Sequence, residues 1–425
     1  MKNSCDFHGI FLGYFISDMM IHKSRREKLL NQIKDNGLII LSTNPENIRN
    51  GDVLYPFRPD SDFWYLTGFK EPECIAVISK DNYSIFLRER DPEREIWDGE
   101  RLGVSRANEA LMSDNAFPIS ELNQKLPQLI SKSEYIYFDI DNTYRGSEIL
   151  EMIPESKLNS IKHLIDEMRL HKDEHEISLM RHAASISVKA HEFAMQKVRS
   201  GMFEYEITSL FDQTFRANNA EHAYPPIVAG GKNSCVLHYI NNDQELHEND
   251  LLLIDSGCEY EGYASDITRT FPVSGKFSNA QKEIYSIVLD AQKVAIDEMY
   301  VGNNIRAPHF EASRVIKEGL ISIGLMKPND DIRKFYMHGT GHWLGMDVHD
   351  VGDYNIEDSP RRFEEGMVMT VEPGIYIRGD AKIDTKFHNI GIRIEDDVLI
   401  TKNGPEVLTG SLVKEIDDIE SIMTK

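Results

Sequence analysis

The chain has 425 residues, 41% hydrophobic and 28% charged, with 47 Lys and Arg against 70 Asp and Glu for a formal charge of −23. That length exceeds one ordinary core and points to two domains of a globular protein, while the acidic excess argues against nucleic acid or an anionic membrane as the main partner. Cys5, Cys74, Cys235 and Cys258 show neither CxxC spacing nor a disulfide framework, so a reducing compartment, the cytoplasm, is expected, and no apolar run reaches the ~18 residues a membrane span needs.

Residues 1–20 carry one early Lys and a short apolar patch ahead of Asp18, without a small-residue cleavage site. They read as an N-terminal tail and a poor signal peptide. His22 to Asp35 predicts an amphipathic helix with Leu29, Leu30 and Ile33 on one face, stopped by Gly37, and Leu38 to Ser42 a strand. Pro45 to Gly51 is rich in turn formers, and Asp62 to Gly68, DFWYLTG, reads as β-like. Ile75 to Ser79 and Tyr83 to Leu87 predict two strands joined at Lys80–Asn82, and Tyr135 to Asp139 a third. Between them, the charged stretch Arg88 to Glu100 holds Trp97, either a local packing lid or part of an interface. The alternation of helix and strand signals gives a mixed α/β domain over residues 21–165.

From residue 166 the pattern changes. Asp173 to Arg199 and Glu204 to Ala217 predict helices, followed by strands near Pro226–Val228 and Val236–His238. Helices are predicted over Asn279 to Met299 and Ala307 to Gly324, each ended by glycine. Strands over Met367 to Val371 and Gly391 to Ile400 and a helix over Val413 to Met423 complete the chain.

Four stretches carry chemistry. The first is Leu251 to Thr270, LLLIDSGCEYEGYASDITRT. A short apolar run reads as a buried strand ending in Asp255; Gly257 and Gly262 reverse the chain; a second extended run carries Asp266, Thr268 and Thr270. Two carboxylates on adjacent strands need a cation, a hydrogen-bond cage or a metal, because they repel each other and lose water. A pair of divalent ions meets that need; two turn-capping aspartates are the alternative. The second stretch is His338-Gly-Thr-Gly-His342 with His349 seven residues on. It is not a helical HExxH pattern, and imidazoles among glycines are either metal ligands and proton carriers or surface groups on a flexible loop. The third, MVMTVEPG, ends an apolar run in Glu372. The fourth, GIRIEDD, places Arg393 and Glu395 two apart, on one side of a strand. Two Asp, a His and two Glu at strand or loop ends would suit Mn²⁺, Co²⁺, Fe²⁺ or Zn²⁺, without selecting among them.

With NSCVLHY, LLIDSGCEYEGYASDITRTFPVSGKFS, MHGTGHWLGMDVHDVG, MVMTVEPGIYI and GIRIEDD in the second domain, and YPFRPDSDFWYLTGFKEPE and REIWDGERLG in the first, the chain resembles the metallopeptidases of the pita-bread fold. Within them it is most similar to the bacterial Xaa-Pro aminopeptidase (aminopeptidase P) family. The resemblance runs from about His22 to the end, and only Gly379 to His388 departs from it in sequence. It implies an α/β (α+β) protein of two domains, a mixed α/β domain over 21–165 and a pita-bread catalytic domain over 166–425. It implies Asp255, Asp266, His342, Glu372 and Glu395 as ligands of two divalent ions, with Asp266 and Glu395 bridging and Mn²⁺ the expected metal. His238, His338, His349 and Glu372 are the implied catalytic residues. Tyr376, Arg393 and Val348 line the implied substrate pocket, and Trp97 reaches a neighbouring subunit's site in a homodimer or homotetramer. The implied reaction is release of the N-terminal residue from peptides with proline second, by attack of a metal-bridging hydroxide on the Xaa-Pro bond. An Xaa-Pro dipeptidase of the same fold would use the same ligands, with Arg393 holding the substrate's C-terminal carboxylate. A non-catalytic peptide-binding protein or a metal-free amidinohydrolase on this scaffold fits less well, because all five ligand positions are filled. The sizeable first domain argues against a methionine aminopeptidase.

Overall fold

The computed structural model describes residues 19–139 and 145–423. Residues 1–18 of the expected tail, Cys5 among them, lie outside the described residues. The chain divides between Asp166 and Glu167 into two compact units.

The first unit is built on a six-stranded mixed sheet in the order Asn115–Pro118, Tyr83–Leu87, Ile75–Ile78, Gly37–Ser42, Tyr135–Phe138, Leu158–Ser160. Its central strand, Gly37–Ser42, is buried at every residue. It pairs antiparallel with Ile75–Ile78 and parallel with Tyr135–Phe138. Strands covered on both faces read as unbroken apolar runs, which is why these three were legible. The N-terminal helix, expected to begin at His22 and run to Asp35, is helical over residues 19–30. DFWYLTG is not β. It forms the helix Ser61–Thr67, in which Asp60 accepts the Phe63 N–H and Gly68 closes the end at φ 68°. Every residue of that helix is buried, so it has no polar face to betray its period. Within the expected Pro45–Gly51 loop, Ile48–Asn50 pairs with Val53–Leu54. The charged stretch holds a helix, Pro92–Asp98, with no buried residue, and Trp97 is 85% exposed on it.

The second unit packs its strands against helices. Glu174–Lys197 starts at a capping box between Asp173 and Glu176, an arrangement that satisfies otherwise orphaned N–H groups. Glu204–Ala217, Asn279–Asp297 and Ala307–Ser322 follow, within two residues of their predicted ends. The central antiparallel sheet is Ile227–Gly230, Leu251–Asp255, Thr268–Pro272. A second sheet joins Val368–Val371, Asp396–Thr401 and Gly404–Val407, and Gly374–Ile377 pairs with Ile390–Arg393. The expected strand at Val236–His238 is absent: a 3-10 turn over Gly231–Cys235 leads into an irregular loop with Val236 half exposed. Leu237 and Tyr239 of that loop anchor it on the apolar patch of Ile227, Ala229 and Leu253. The expected single strand Gly391–Ile400 is two strands in different sheets, broken at Ile394 and Glu395. The closing helix covers only Ile416–Met423. Among the described residues no helix is long and apolar enough to cross a membrane.

The break after Arg393 has a physical cause. Arg269 and Asp396 are both fully buried and 2.7 Å apart. Arg269 also donates to the carbonyls of Glu395 at 2.6 Å, Thr268 at 3.0 Å and Leu412 at 3.2 Å. Asp396 accepts further bonds from Thr409 Oγ1, Gln292 Nε2 and Lys414 Nζ at 2.7–2.8 Å. Burial alone would raise the Asp396 carboxyl; Arg269 and Lys414 overcome it and hold it far below its ordinary value. A buried ion pair is tolerated only when its remaining lone pairs and protons are used, and here they are. Replacing Asp396 with Asn leaves Arg269 buried against a neutral partner and is expected to cost about 3–5 kcal/mol, read from denaturant unfolding at pH 7. Because the folded carboxyl titrates lower than the unfolded one, that contribution is complete above the ordinary Asp value of ~3.9 and is lost only as the pH falls below it. A variant as stable as the parent at pH 7 would remove the Arg269–Asp396 knot from the account of the fold.

Candidate active site

Strand register sets the first two carboxylates. Asp255 lies opposite Thr268 and Ile254 opposite Arg269; strand alternation therefore sends Arg269 into the core and Thr268 toward the same side as Asp255. Asp266 comes two residues before Thr268, beyond a small hairpin, Cys258–Tyr260 with Tyr263–Ala264. The two arms approach so closely that a Cβ on Gly257 would sit 1.7 Å from the Ser265 carbonyl oxygen. Glycine is required there by contact.

The His-Gly loop runs alongside Val368–Val371. The Thr370 N–H donates to the His342 carbonyl at 2.9 Å, that of Leu344 to Val368 at 3.1 Å, and that of Glu372 to Thr340 at 2.7 Å. A Cβ on Gly341 would meet the Thr370 carbonyl oxygen at 1.9 Å, so only glycine lets the loop lie this flat. These bonds seat His342 beside Glu372. The far end of the loop is held by Asp350, buried between Arg169 at 2.6 Å and Lys172 at 3.0 Å. Glu395 sits in the strand break, its N–H donating to the Thr268 carbonyl at 3.0 Å and its carboxylate accepting from the Thr268 hydroxyl.

The five expected ligands converge. Donor atoms of Asp266, His342 and Glu395 all lie within 4.8 Å of one another. His342 Nε2 is 3.4 Å from Asp266 Oδ2 and 3.8 Å from Glu372 Oε1. Asp255 joins through Tyr224, whose Oη lies 2.7 Å from Asp255 Oδ1 and 2.5 Å from Asp266 Oδ1. A cavity of about 400 Å³ opens on this cluster, and His238, His338, Val348, His349 and Arg393 line it with the five, beside the apolar Ile227, Leu237 and Ile240. The His349 ring stands edge-on to His342 with centroids 4.3 Å apart. Tyr376, expected to line the pocket, is 1% exposed. It stands behind the wall, its hydroxyl 2.8 Å from His338 Nε2 and 3.0 Å from Arg393 Nη1. Trp97 belongs to the first unit and is not among the residues lining this cavity. Sequence reasoning misses Tyr224 and places Thr268 on its strand without a role. Tyr224 stands alone before two prolines, with no pattern around it that could have marked it.

Electrostatics show what the cluster lacks. Burial pushes Glu372 up to about 7, with repulsion from Asp266 and Asp255 only partly offset by His342 and Arg393. Burial, then repulsion from Asp266, Glu372 and Asp255, drives Glu395 well above the carboxylate range, and Asp255 is raised by burial despite Arg393. Only Asp266 is lowered: burial opposes the shift, and the His342 bond and charge overcome it. Against its own burial, His342 is carried up to about 9 by Asp266 and Glu372, and His338 is pushed down to about 4 by burial and by Arg393. Carboxylates shifted upward by crowding gain from added positive charge. His342 Nδ1 lies 2.9 Å from the Trp343 carbonyl, to which only an N–H can donate, so Nε2 is the nitrogen turned to the carboxylates and the one on which a cation would replace the proton. That second bond is the usual orienting device of a metal-binding imidazole. Oxygen-rich donors with one oriented nitrogen fit divalent cations.

Three comparisons bear on this geometry. Residues 22–137 match the family model described as "Aminopeptidase P, N-terminal domain" and residues 178–402 that described as "Metallopeptidase family M24". The Xaa-Pro aminopeptidase of Haemophilus influenzae is 44% identical over 415 residues, covering 94% of this chain and 96% of its own. The solved structure of Pseudomonas aeruginosa aminopeptidase PepP superposes with a TM-score of 0.93 at 42% identity, over 95% of this chain and 98% of that one. E. coli aminopeptidase P with the inhibitor Pro-Leu gives 0.92 at 40%, over 95% and 98%. Both domain families matched in order, over nearly the whole length of such relatives, establish that the chain belongs to metallopeptidase family M24, as a two-domain hydrolase whose pita-bread catalytic domain follows an aminopeptidase P N-terminal domain.

Proposed function

We propose that this enzyme is an aminopeptidase that releases the N-terminal residue from peptides with proline in second position. One observation carries the proposal: Asp255, Asp266, His342, Glu372 and Glu395 converge on a cavity walled by His238, His338 and His349, in a chain similar end to end to a protein named Xaa-Pro aminopeptidase. We assign the five as the residues that would hold two divalent ions, with Mn²⁺ first and Co²⁺, Zn²⁺ and Fe²⁺ also compatible with the donors. When bound, such a pair supplies Lewis acidity at the scissile carbonyl and lowers the pKa of water enough to give a nucleophile near neutral pH.

The chain's own residues do the rest. The scissile nitrogen, which in proline carries no hydrogen in the peptide, must receive a proton to leave as an amine. Glu372, on the cavity wall with Oε1 3.8 Å from His342 Nε2, is placed to take a proton at its carboxylate and return it to that nitrogen. His338, its Nδ1 bonded to the Gly339 carbonyl at 2.7 Å and 3.8 Å from Glu372 Oε2, is assigned with it to the catalytic group. His238 and His349, on the cavity wall, donate to the carbonyl oxygen as it gains charge. A free amino terminus would approach the metals and the carboxylates around them, which limits cleavage to one residue at a time. A dipeptidase must also hold a C-terminal carboxylate, and Arg393 is poorly suited to it: 3% exposed, it already serves Asp255, Thr268 and Tyr376. The free thiols of Cys74, Cys235 and Cys258 fit a reducing compartment, and we assign the enzyme to the cytoplasm.

Metal-stripped protein should be inactive. Restored with Mn²⁺, Co²⁺ or Zn²⁺, it should cleave Xaa-Pro-Yaa tripeptides at least about tenfold faster, in kcat/KM, than Xaa-Pro dipeptides, a difference of about 1.4 kcal/mol in transition-state binding. The reverse preference would make it a dipeptidase. Asp266→Asn should lose bound metal, measured by elemental analysis, together with turnover; a variant that kept two ions and the parent's rate would overturn the ligand assignment. Trp97, bare on its helix, is assigned to a contact with the active-site mouth of another copy. Trp97→Ala should then lower kcat/KM with metal content unchanged, and sedimentation of the parent should give a dimer or tetramer. A fully active parent monomer would exclude that contact.

A further inference from the structure

Ser187 and His191, buried polar side chains of the helix Glu174–Lys197, lie outside the cavity. Ser187 and His191 are both fully buried among apolar residues that include Ala183, Ile186 and Ala190. They are four apart, so they share one helix face. The Ser187 hydroxyl lies 2.6 Å from that of Ser265 and accepts the Cys258 N–H at 3.0 Å. His191 Nε2 donates to the Ser256 carbonyl at 2.9 Å, its ring held edge-on to Phe211. Ser256 directly follows Asp255, and Ser265 directly precedes Asp266. One helical turn thus grips both arms of the hairpin, each one residue from an aspartate of the cluster, where the arms meet at Gly257.

We propose that Ser187 and His191 are positioning residues that set the separation of the Asp255 and Asp266 carboxylates, and through it the affinity of the site for divalent metal; this rests on the metal reading above. A buried hydroxyl or imidazole adds little net stability over a well-packed apolar side chain. What it adds is a unique arrangement of the groups it bonds. A one-residue slip between the arms would turn an aspartate to the opposite face, and two side-chain bonds to the hairpin's backbone and to Ser265 resist that slip. The effect resembles that of outer-shell partners, which orient ligands without touching the ion.

The test titrates metal-stripped protein with Mn²⁺ by calorimetry, with melting of the metal-free form as the check on folding. Three variants are compared: His191→Phe, which keeps the ring and removes the donor; His191→Gln, which restores an N–H; and Ser187→Ala. His191→Phe and Ser187→Ala are expected to bind Mn²⁺ about 10–100-fold more weakly than the parent while melting cooperatively, with kcat reduced and KM little changed. His191→Gln is expected to recover most of the affinity. Parent-like affinity in both His191→Phe and Ser187→Ala overturns the proposal, as does a Gln variant no better than the Phe variant at equal stability. Should His191→Phe fail to fold, Ser187→Ala decides alone by the same criterion. A parent that binds no Mn²⁺, Co²⁺ or Zn²⁺ would instead sink the metal reading itself.

Discussion

Carboxylates do not enter an apolar sheet uncompensated, and the catalytic unit is arranged around that constraint. Asp255, Asp266, Glu372 and Glu395 crowd one end of the strands, facing Arg393 and His342. Three of the four are pushed toward their neutral forms. A site built for stability alone would have paired each of them, as Asp396 is paired. The remaining imbalance is what gives the cluster its appetite for cations, and catalytic residues tuned by burial and like charge follow from the same crowding.

Three consecutive acids show how finely the fold sorts its charges. Glu395 turns to the cavity and is raised by burial and repulsion. Asp396 turns to the opposite face and is lowered by Arg269 and Lys414 against its own burial. Asp397 accepts the Asp266 N–H at 3.1 Å and 3.3 Å and is raised by burial and by the Asp266 charge. One carboxylate faces the cavity, one locks the core, and one ties the strand break to the hairpin that carries Asp266. Glu395 lies in the break itself, between the strand that ends at Arg393 and the one that begins at Asp396, and that break lets Glu395 turn away from Asp396 and reach the same cavity as Arg393.

Much of this was legible from the residues. The Leu251–Thr270 hairpin, the long helix capped at Asp173, the His-Gly loop and the strand ending at Glu372 all lie where their patterns put them. The errors share a cause. DFWYLTG was read as β because a helix buried on every side hides its period. GIRIEDDVLI was read as one strand because both halves are apolar and extended, although they pair with different partners. VLH was read as a strand because three apolar or aromatic residues anchor a loop as readily as they fill a sheet. Tyr224 carried no signal, since its role is defined wholly by two residues 31 and 42 positions away.

Residue order by itself carried the family resemblance, the two-domain plan and the acid and imidazole clusters, because motifs such as an apolar run ending in a carboxylate are local features legible before the chain folds. Tertiary structure alone decided how those donors meet. Register opposite Thr268, the buried Arg269–Asp396 pair that breaks a strand beside Glu395, and the helix that grips both arms of the ligand hairpin are contacts between residues far apart in the chain. Distances and charges of that kind exist only once the chain has closed on itself, and they convert a list of acids and imidazoles into a site.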